Sequence, residues 1–142
     1  LPRAPPTKSI HHRAQGDMLK AKADKGLGKE RTDAQVAVAV RRFHGLKGAE
    51  RDMEEGAEYL ERAAQRGDAR ALANYGFMLA NGWGVPRDVP KAMSLFEDAV
   101  AQGEPQGHVG LGYVHYYGLG GFDQDYKKAL EHYTVAAREG DA

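Results

Sequence analysis

One block of this chain occurs three times, and that repetition restricts the fold more than any other feature. Gly67-Asp68-Ala69, Tyr75-Gly76, Gly82-Trp83-Gly84, Asp88, Ala92, Ala99 and Gly103 follow one another in the middle of the sequence. The same punctuation returns at Gly103, Leu111-Gly112, Gly118-Leu119-Gly120, Asp125, Ala129, Ala136 and Gly140. The step is 36 residues up to the loop glycine and 37 after it. Earlier in the chain Gly45, Gly48, Asp52, Ala63-Ala64 and Gly67 mark a first copy. A period of this length signals stacked supersecondary units, each unable to bury its apolar face alone. Such arrays act through surfaces more than through enclosed pockets.

Within each unit the apolar spacing is helical. In the middle copy Ala71, Ala73, Tyr75, Met78 and Leu79 place a first helix, A, over about 69–81. Gly82 and Gly84 break it. Asp88 offers a carboxylate to the free N–H groups of a second helix, B, over about 89–102, which buries Ala92, Leu95, Phe96 and Ala99. Gly103 closes that helix. The third copy runs over about 105–117 and 126–139, with Asp125 as cap. In the first copy Asp52 and Glu55 resemble a capping box, and Tyr59, Leu60, Ala63 and Ala64 carry the apolar face. Gly76 and Gly112 lie inside A helices, where each costs about 1 kcal/mol relative to alanine. Ala39 stands at their position in the first copy, so close approach of helix A to helix B is the expected return.

The sequence ahead of the repeats differs in character. Residues 1–31 hold 8 Lys/Arg against 3 Asp/Glu, a net of +5, and the remainder 12 against 17, a net of −5. Pro2, Pro5 and Pro6 read as an extended arm over 1–10. A helical pattern follows from Arg13 to Lys25, ended by Gly26 and Gly28, as the second helix of a degenerate earlier repeat or as a cap. A basic arm on an acidic body either docks onto an acidic surface or keeps the terminus soluble. The chain opens on Leu1 rather than Met, which suggests either a removed segment or a fragment of a longer chain; a removed segment would favour an organelle such as a chloroplast or mitochondrion, or the lumen of the endoplasmic reticulum, without the sequence naming which.

The composition excludes several chemistries. With no cysteine there is no disulfide framework, thiolate zinc site or cysteine nucleophile. No apolar run approaches the roughly 20 residues that span a bilayer. His11-His12 lack companion ligands, and His44, His108, His115 and His132 fall at different phases of different helices, so no metal or cofactor is expected. Gly118-Leu119-Gly120-Gly121 precedes no Lys-Ser/Thr and reads as the repeat turn, not a phosphate loop. No Ser/His/Asp arrangement stands out. The basic tail is too sparse, and the body too acidic, for a nucleic-acid partner.

The pattern Gly67-Asp68-Ala69-x-Ala71-x-x-x-Tyr75-Gly76-x-x-Leu79-x-x-Gly82-x-Gly84-Val85-x-x-Asp88-x-x-Lys91-Ala92-x-x-x-Phe96-x-x-Ala99-x-x-x-Gly103 closely resembles the Sel1-like repeat, a relative of the tetratricopeptide repeat with a longer, glycine-marked turn. The resemblance runs from about Thr32 to the C-terminus, in repeats of about 32–67, 68–103 and 104–140. It is weakest in the first, where Arg42 replaces the usual aromatic and Gly56 a usual alanine. It implies an all-α, right-handed α-solenoid of three helix-turn-helix repeats behind the N-terminal arm and short helix at 1–31. It also implies a non-enzymatic scaffold or assembly subunit, with a place at the periphery of a membrane complex left open. An adaptor of endoplasmic-reticulum quality control, recruiting substrates to a ubiquitin ligase, is the alternative within binding proteins. A hydrolase is the alternative from another class, disfavoured because such family members are cysteine-rich.

In the tetratricopeptide geometry, helix A lines the concave groove. Transferred to this sequence, the outward positions are Asp33, Val36, Val40, Phe43 and His44; Arg70, Ala73, Phe77, Ala80 and Asn81; and Gln106, Val109, Tyr113, Tyr116 and Tyr117. Val36, Val40, Phe43, Phe77, Asn81, Tyr113, Tyr116 and Tyr117 are therefore the expected partner-binding residues, accepting a helix or extended peptide. The opposing reading packs several of them between repeats. Adjacent Tyr116 and Tyr117 point about 100° apart, so one face cannot bury both. An acidic run, Glu50, Asp52, Glu54, Glu55, Glu58 and Glu61, is either a solvated face or a surface for a basic partner. Trp83 either locks its turn or projects from it. The closing Gly140-Asp141-Ala142 repeats the triplet that opens the middle unit, so the ends of the array are expected to be covered by a partner or by further chain.

Overall fold

The computed structural model describes residues 7–45 and 52–140, with side chains from Arg13 onward. The fold is all-α, with no strand among the described residues. Its helices are α1 (Thr7–Lys25), α2 (Gly28–His44), α3 (Met53–Gln65), α4 (Ala69–Asn81), α5 (Val89–Ala101), α6 (Pro105–Tyr117) and α7 (Tyr126–Gly140), with a 3-10 turn at Leu119–Gly121. Each helix packs on the next in chain order, and α4 also reaches α6. Contact between two A helices places the A row on the inner side of the stack. The result is an α-solenoid of three A–B pairs, α2–α3, α4–α5 and α6–α7, with α1 in front.

The aspartates that recur in sequence cap the B helices in space. Asp52, Asp88 and Asp125 accept backbone N–H groups of Glu55, Lys91 and Lys128 at 3.0, 3.1 and 3.0 Å. Such caps contribute about 1 kcal/mol each. The backbone N–H of each aspartate donates back to helix A: to Arg42, Leu79 and His115 carbonyls at 2.8, 2.9 and 2.8 Å. The reach is one residue shorter in the middle copy, which is the 36/37 alternation seen in sequence. The A helices end at Gly45, Gly82 and Gly118, all left-handed with φ of 63°, 70° and 60°, a conformation that glycine adopts without a Cβ penalty.

The helix-interior glycines are contact points. A Cβ at Gly76 would stand 2.6 Å from the Phe96 ring, and one at Gly112 would stand 2.7 Å from the Tyr133 ring. Gly110 of the next repeat presses on the opposite side of Phe96, at a separation that admits no Cβ. Phe96, fully buried, is thus held between glycines of two successive A helices. The turn glycines seal the same seam. Gly84 lies against the Met53 carbonyl and Gly120 against Val89, each the first residue of the preceding B helix.

Four local expectations change. Helix α1 starts at Thr7 rather than near Arg13, because prolines at 5 and 6 disfavour helix before them but are tolerated at its start; residues 1–6 lie outside the described part. Gly28 opens α2 with φ 53° instead of ending α1. Gly140 is the last residue of α7, which the pattern ended near 139. Only half of the capping box forms at Asp52, since the Glu55 carboxylate turns away to Arg42 at 2.9 Å and Lys20 at 3.0 Å.

Helix α1 covers the front of the first repeat. Its Ala23 carbonyl accepts Gln35 Nε2 at 3.2 Å and Arg31 Nε at 3.3 Å. Asp24 accepts the Tyr59 hydroxyl at 2.8 Å and pairs with Arg62 at 3.6 Å. Burial first, and then the Asp24 hydrogen bond, push the Tyr59 phenol up to about 12. The acidic run is therefore partly spent inside the chain: Glu55 is ion-paired, while Asp52, Glu54 and Glu58 remain exposed. Glu50 lies outside the described residues.

Candidate functional site

The inner row of A helices carries a continuous set of aromatic rings. Phe77 on α4 meets Phe96 at 5.0 Å between centroids and Tyr113 on α6 at 5.7 Å. Tyr113 meets Tyr117 at 5.0 Å, Tyr117 meets Tyr116 at 4.9 Å, and Tyr116 meets Tyr126 at 5.1 Å. Edge-to-face pairs of this kind contribute about 0.5–1.5 kcal/mol each beyond area burial. The ladder exists because aromatics four residues apart on α6 share a face, and because the 36-residue period sets Phe77 beside Tyr113.

At its N-terminal end a second aromatic group borders a hollow of about 240 Å³, lined by Val40, Phe43, Asn74, Phe77, Met78 and Trp83 among others. Phe43 and Trp83 lie 5.6 Å apart. Trp83 both packs on Phe43 and keeps 39% of its surface exposed, so it fixes the turn and contributes to the wall.

The expected partner-binding residues divide into three kinds. Val40, Tyr116 and Tyr117 are exposed, and Phe43, Phe77 and Tyr113 are half-buried with an open edge. Val36 is a correction. It is 8% exposed and sits in the core, because it falls in the stretch from Thr32 to Ala39 where most residues of α2 are buried, and α2 packs against both α1 and α3. Ala73 and Ala80, outward by the transferred geometry, are likewise buried. Asn81 has a different role: its Nδ2 donates to the Phe77 carbonyl at 2.9 Å, and its Oδ1 accepts the Tyr113 hydroxyl at 2.6 Å. It fixes the ladder.

Two features escape the sequence reading. Tyr126 and Leu130 on α7 are exposed, and with Tyr116, Ala129 and Tyr133 they line an open depression at the end of the array. The signal was present in the repeat: Tyr126 aligns with Met53 and Val89. The second is a histidine group. His108 and His115, seven residues apart on α6, share a face after all, and His132 of α7 lies between them. His108 Nδ1 and His132 Nδ1 are 3.2 Å apart, and the His115 and His132 rings stack at 6.1 Å. Burial, and then the neighbouring His108 and His115, hold the His132 pKa below its usual value. Among the described residues no three His, Asp or Glu side chains are disposed to hold a metal ion, and no helix is long and apolar enough to cross a membrane.

The Sel1 repeat model matches residues 32–68, 69–104 and 105–141. Among solved structures, the fold is similar to that of a protective antigen of uropathogenic Escherichia coli displaying an SLR fold, with a TM-score of 0.71 and 28% identity. That match covers 87% of this chain and 25% of the antigen. A Sel1 repeat protein from Oxalobacter formigenes is also similar, with a TM-score of 0.64 and 25% identity over 94% of this chain and 53% of that one. The chain thus spans about a quarter and about half of those two proteins. Sel1 repeat proteins generally mediate protein–protein interaction and are typically non-catalytic. Three matched repeats in register, each an A–B helix pair with a glycine-ended first helix, establish that the chain belongs to the Sel1 repeat family.

Proposed function

We infer that this protein is a non-enzymatic scaffold, or an assembly subunit, that binds a segment of another protein along the inner row of A helices. The carrying observation is the ladder from Phe77 to Tyr117 with the adjoining hollow at Val40, Phe43 and Trp83. Large, partly exposed rings held rigid by their neighbours bury much area at little entropic cost, which is the character of interface anchors. A hollow of this size admits one or two apolar side chains of a helix or extended peptide, and the exposed Tyr116 and Tyr117 at the far end of the ladder provide polar recognition.

Affinity purification from the native source, comparing the unaltered chain with Val40→Asp and Tyr117→Ala, tests this reading. Both positions are exposed, so the fold should persist. The same partner should be recovered with the unaltered chain and lost with both variants. Equal recovery by all three would remove the inner face as the binding site.

A further inference from the structure

We propose that His108 of α6 and His132 of α7 form a two-histidine site for an exchangeable divalent cation of the zinc class. These histidines stand where another copy of the repeat needs none. The 36-residue step along helix A and the 37-residue step along helix B align His108, His115 and His132 with Leu72, Leu79 and Leu95 of the middle copy. Leu72 and Leu79 are buried and Leu95 packs on the core, so leucine satisfies the fold at all three positions. In the first copy Gln35 and Tyr59 align with His108 and His132, and each is hydrogen-bonded to α1. In the third copy the imidazoles meet one another instead. Half-burying three polar rings where leucines serve is unfavourable for packing alone. His115 Nδ1 is even buried with no hydrogen-bond partner among the described residues.

The spacing of the pair suits a metal ion. The two Nδ1 atoms are 3.2 Å apart. An ion bound to both at a zinc–imidazole distance of about 2.0–2.1 Å subtends an angle of about 100°, near tetrahedral. The bite is preorganised, because the two rings sit on helices held close at Gly112, where a Cβ would stand 2.7 Å from the Tyr133 ring. His115, its ring parallel to that of His132 at 6.1 Å, is a neighbour and not a ligand. Nearby on α7, Glu131 favours a cation and Lys128 opposes one. The described residues supply no third His, Asp or Glu ligand. The remaining coordination positions are therefore open to water, unlike those of a closed structural zinc. Imidazole nitrogens select zinc, copper and nickel over the hard cations magnesium and calcium.

The test is calorimetric titration of Zn²⁺ into the full chain at neutral pH, with thermal melting followed in parallel. One ion should bind per chain and raise the melting temperature, since a ligand of the folded state alone stabilises it. His108→Leu and His132→Leu install the residues of the middle copy, so each should keep the parent circular dichroism while losing both the binding and the thermal shift. His132→Gln, which retains a polar side chain, should lose them equally. His115→Leu should keep both, as should a His11→Gln/His12→Gln chain, which separates this site from the adjacent histidines of α1. Mg²⁺, which prefers oxygen ligands, should give neither signal. Absence of saturable Zn²⁺ binding would overturn the proposal and leave His108 and His132 as a neutral hydrogen-bonded pair. Binding that persists in the His108 and His132 variants, or that vanishes with His11 and His12, would overturn it as well.

Discussion

The Tyr113 hydroxyl donates to Asn81 Oδ1 at 2.6 Å, joining the end of one A helix to the middle of the next across 32 residues of sequence. Asn81 is itself held by its bond to the Phe77 carbonyl. The ladder is therefore keyed by one polar contact as well as by ring packing. Tyr113→Phe removes the donor and leaves the ring. It should lower the free energy of unfolding by about 0.5–1.5 kcal/mol, the usual net value of such a bond, as read from urea denaturation.

Phe77→Ala acts on the fold as well as on binding. Phe77 touches both Phe96 and Tyr113, so its loss should cost about 3 kcal/mol or more in the same assay. Tyr117→Ala, at an exposed position, should cost under about 1 kcal/mol. A binding defect in Tyr117→Ala thus reports on the interface, whereas one in Phe77→Ala mixes both effects.

Gly110→Ala should destabilise despite alanine's better helix propensity. The propensity gain is about 1 kcal/mol, but the added methyl has no space against Phe96, and overpacking of this kind costs about 1–3 kcal/mol. Pairing it with Phe96→Leu should recover part of the loss. An additive double mutant would show that the two residues do not compete for one space.

Stability should decline on mild acidification. The folded state holds the His132 pKa below its usual value, through burial first and then its histidine neighbours. The unfolded chain therefore takes up a proton before the folded one does. Above the ordinary histidine range both states are neutral and the effect vanishes; below about 6.5 the unfolded state gains. The melting temperature should fall between pH 7 and pH 5, and His132→Gln should flatten that part of the profile. At the alkaline end Tyr59 works in the opposite sense. Its pKa of about 12 lies above the unfolded value, so stability drops as pH rises past 10, and Tyr59→Phe should reduce that slope.

Asp88→Ala should cost about 1 kcal/mol by leaving the Lys91 N–H without its acceptor. Asp125→Ala should destabilise in the same direction, since the backbone N–H of Lys128 holds that carboxyl below its usual range. Hydrogen exchange at the first turns of α5 and α7 would localise each loss.

The repeat, the bounds of α4 and α6, the aspartate caps and the glycine-ended A helices were legible in the sequence because they are local. Each depends on residues within a turn or two of one another, and the period repeats them in register. Which flank of an A helix stays open is not local. Val36 and Val40 lie one turn apart on α2, yet the assembled fold buries the first and leaves the second exposed. Likewise Asn81 becomes a bridge only because α6 sets Tyr113 against it, and His132 joins His108 and His115 only because α7 folds back along α6. The sequence by itself determined the repeat helices, the ends of α4 and α6 and the stacking order, through backbone hydrogen bonds and periodic apolar spacing, but not the ends of α1. The tertiary structure decided which rings reach solvent, because burial is a property of neighbouring repeats.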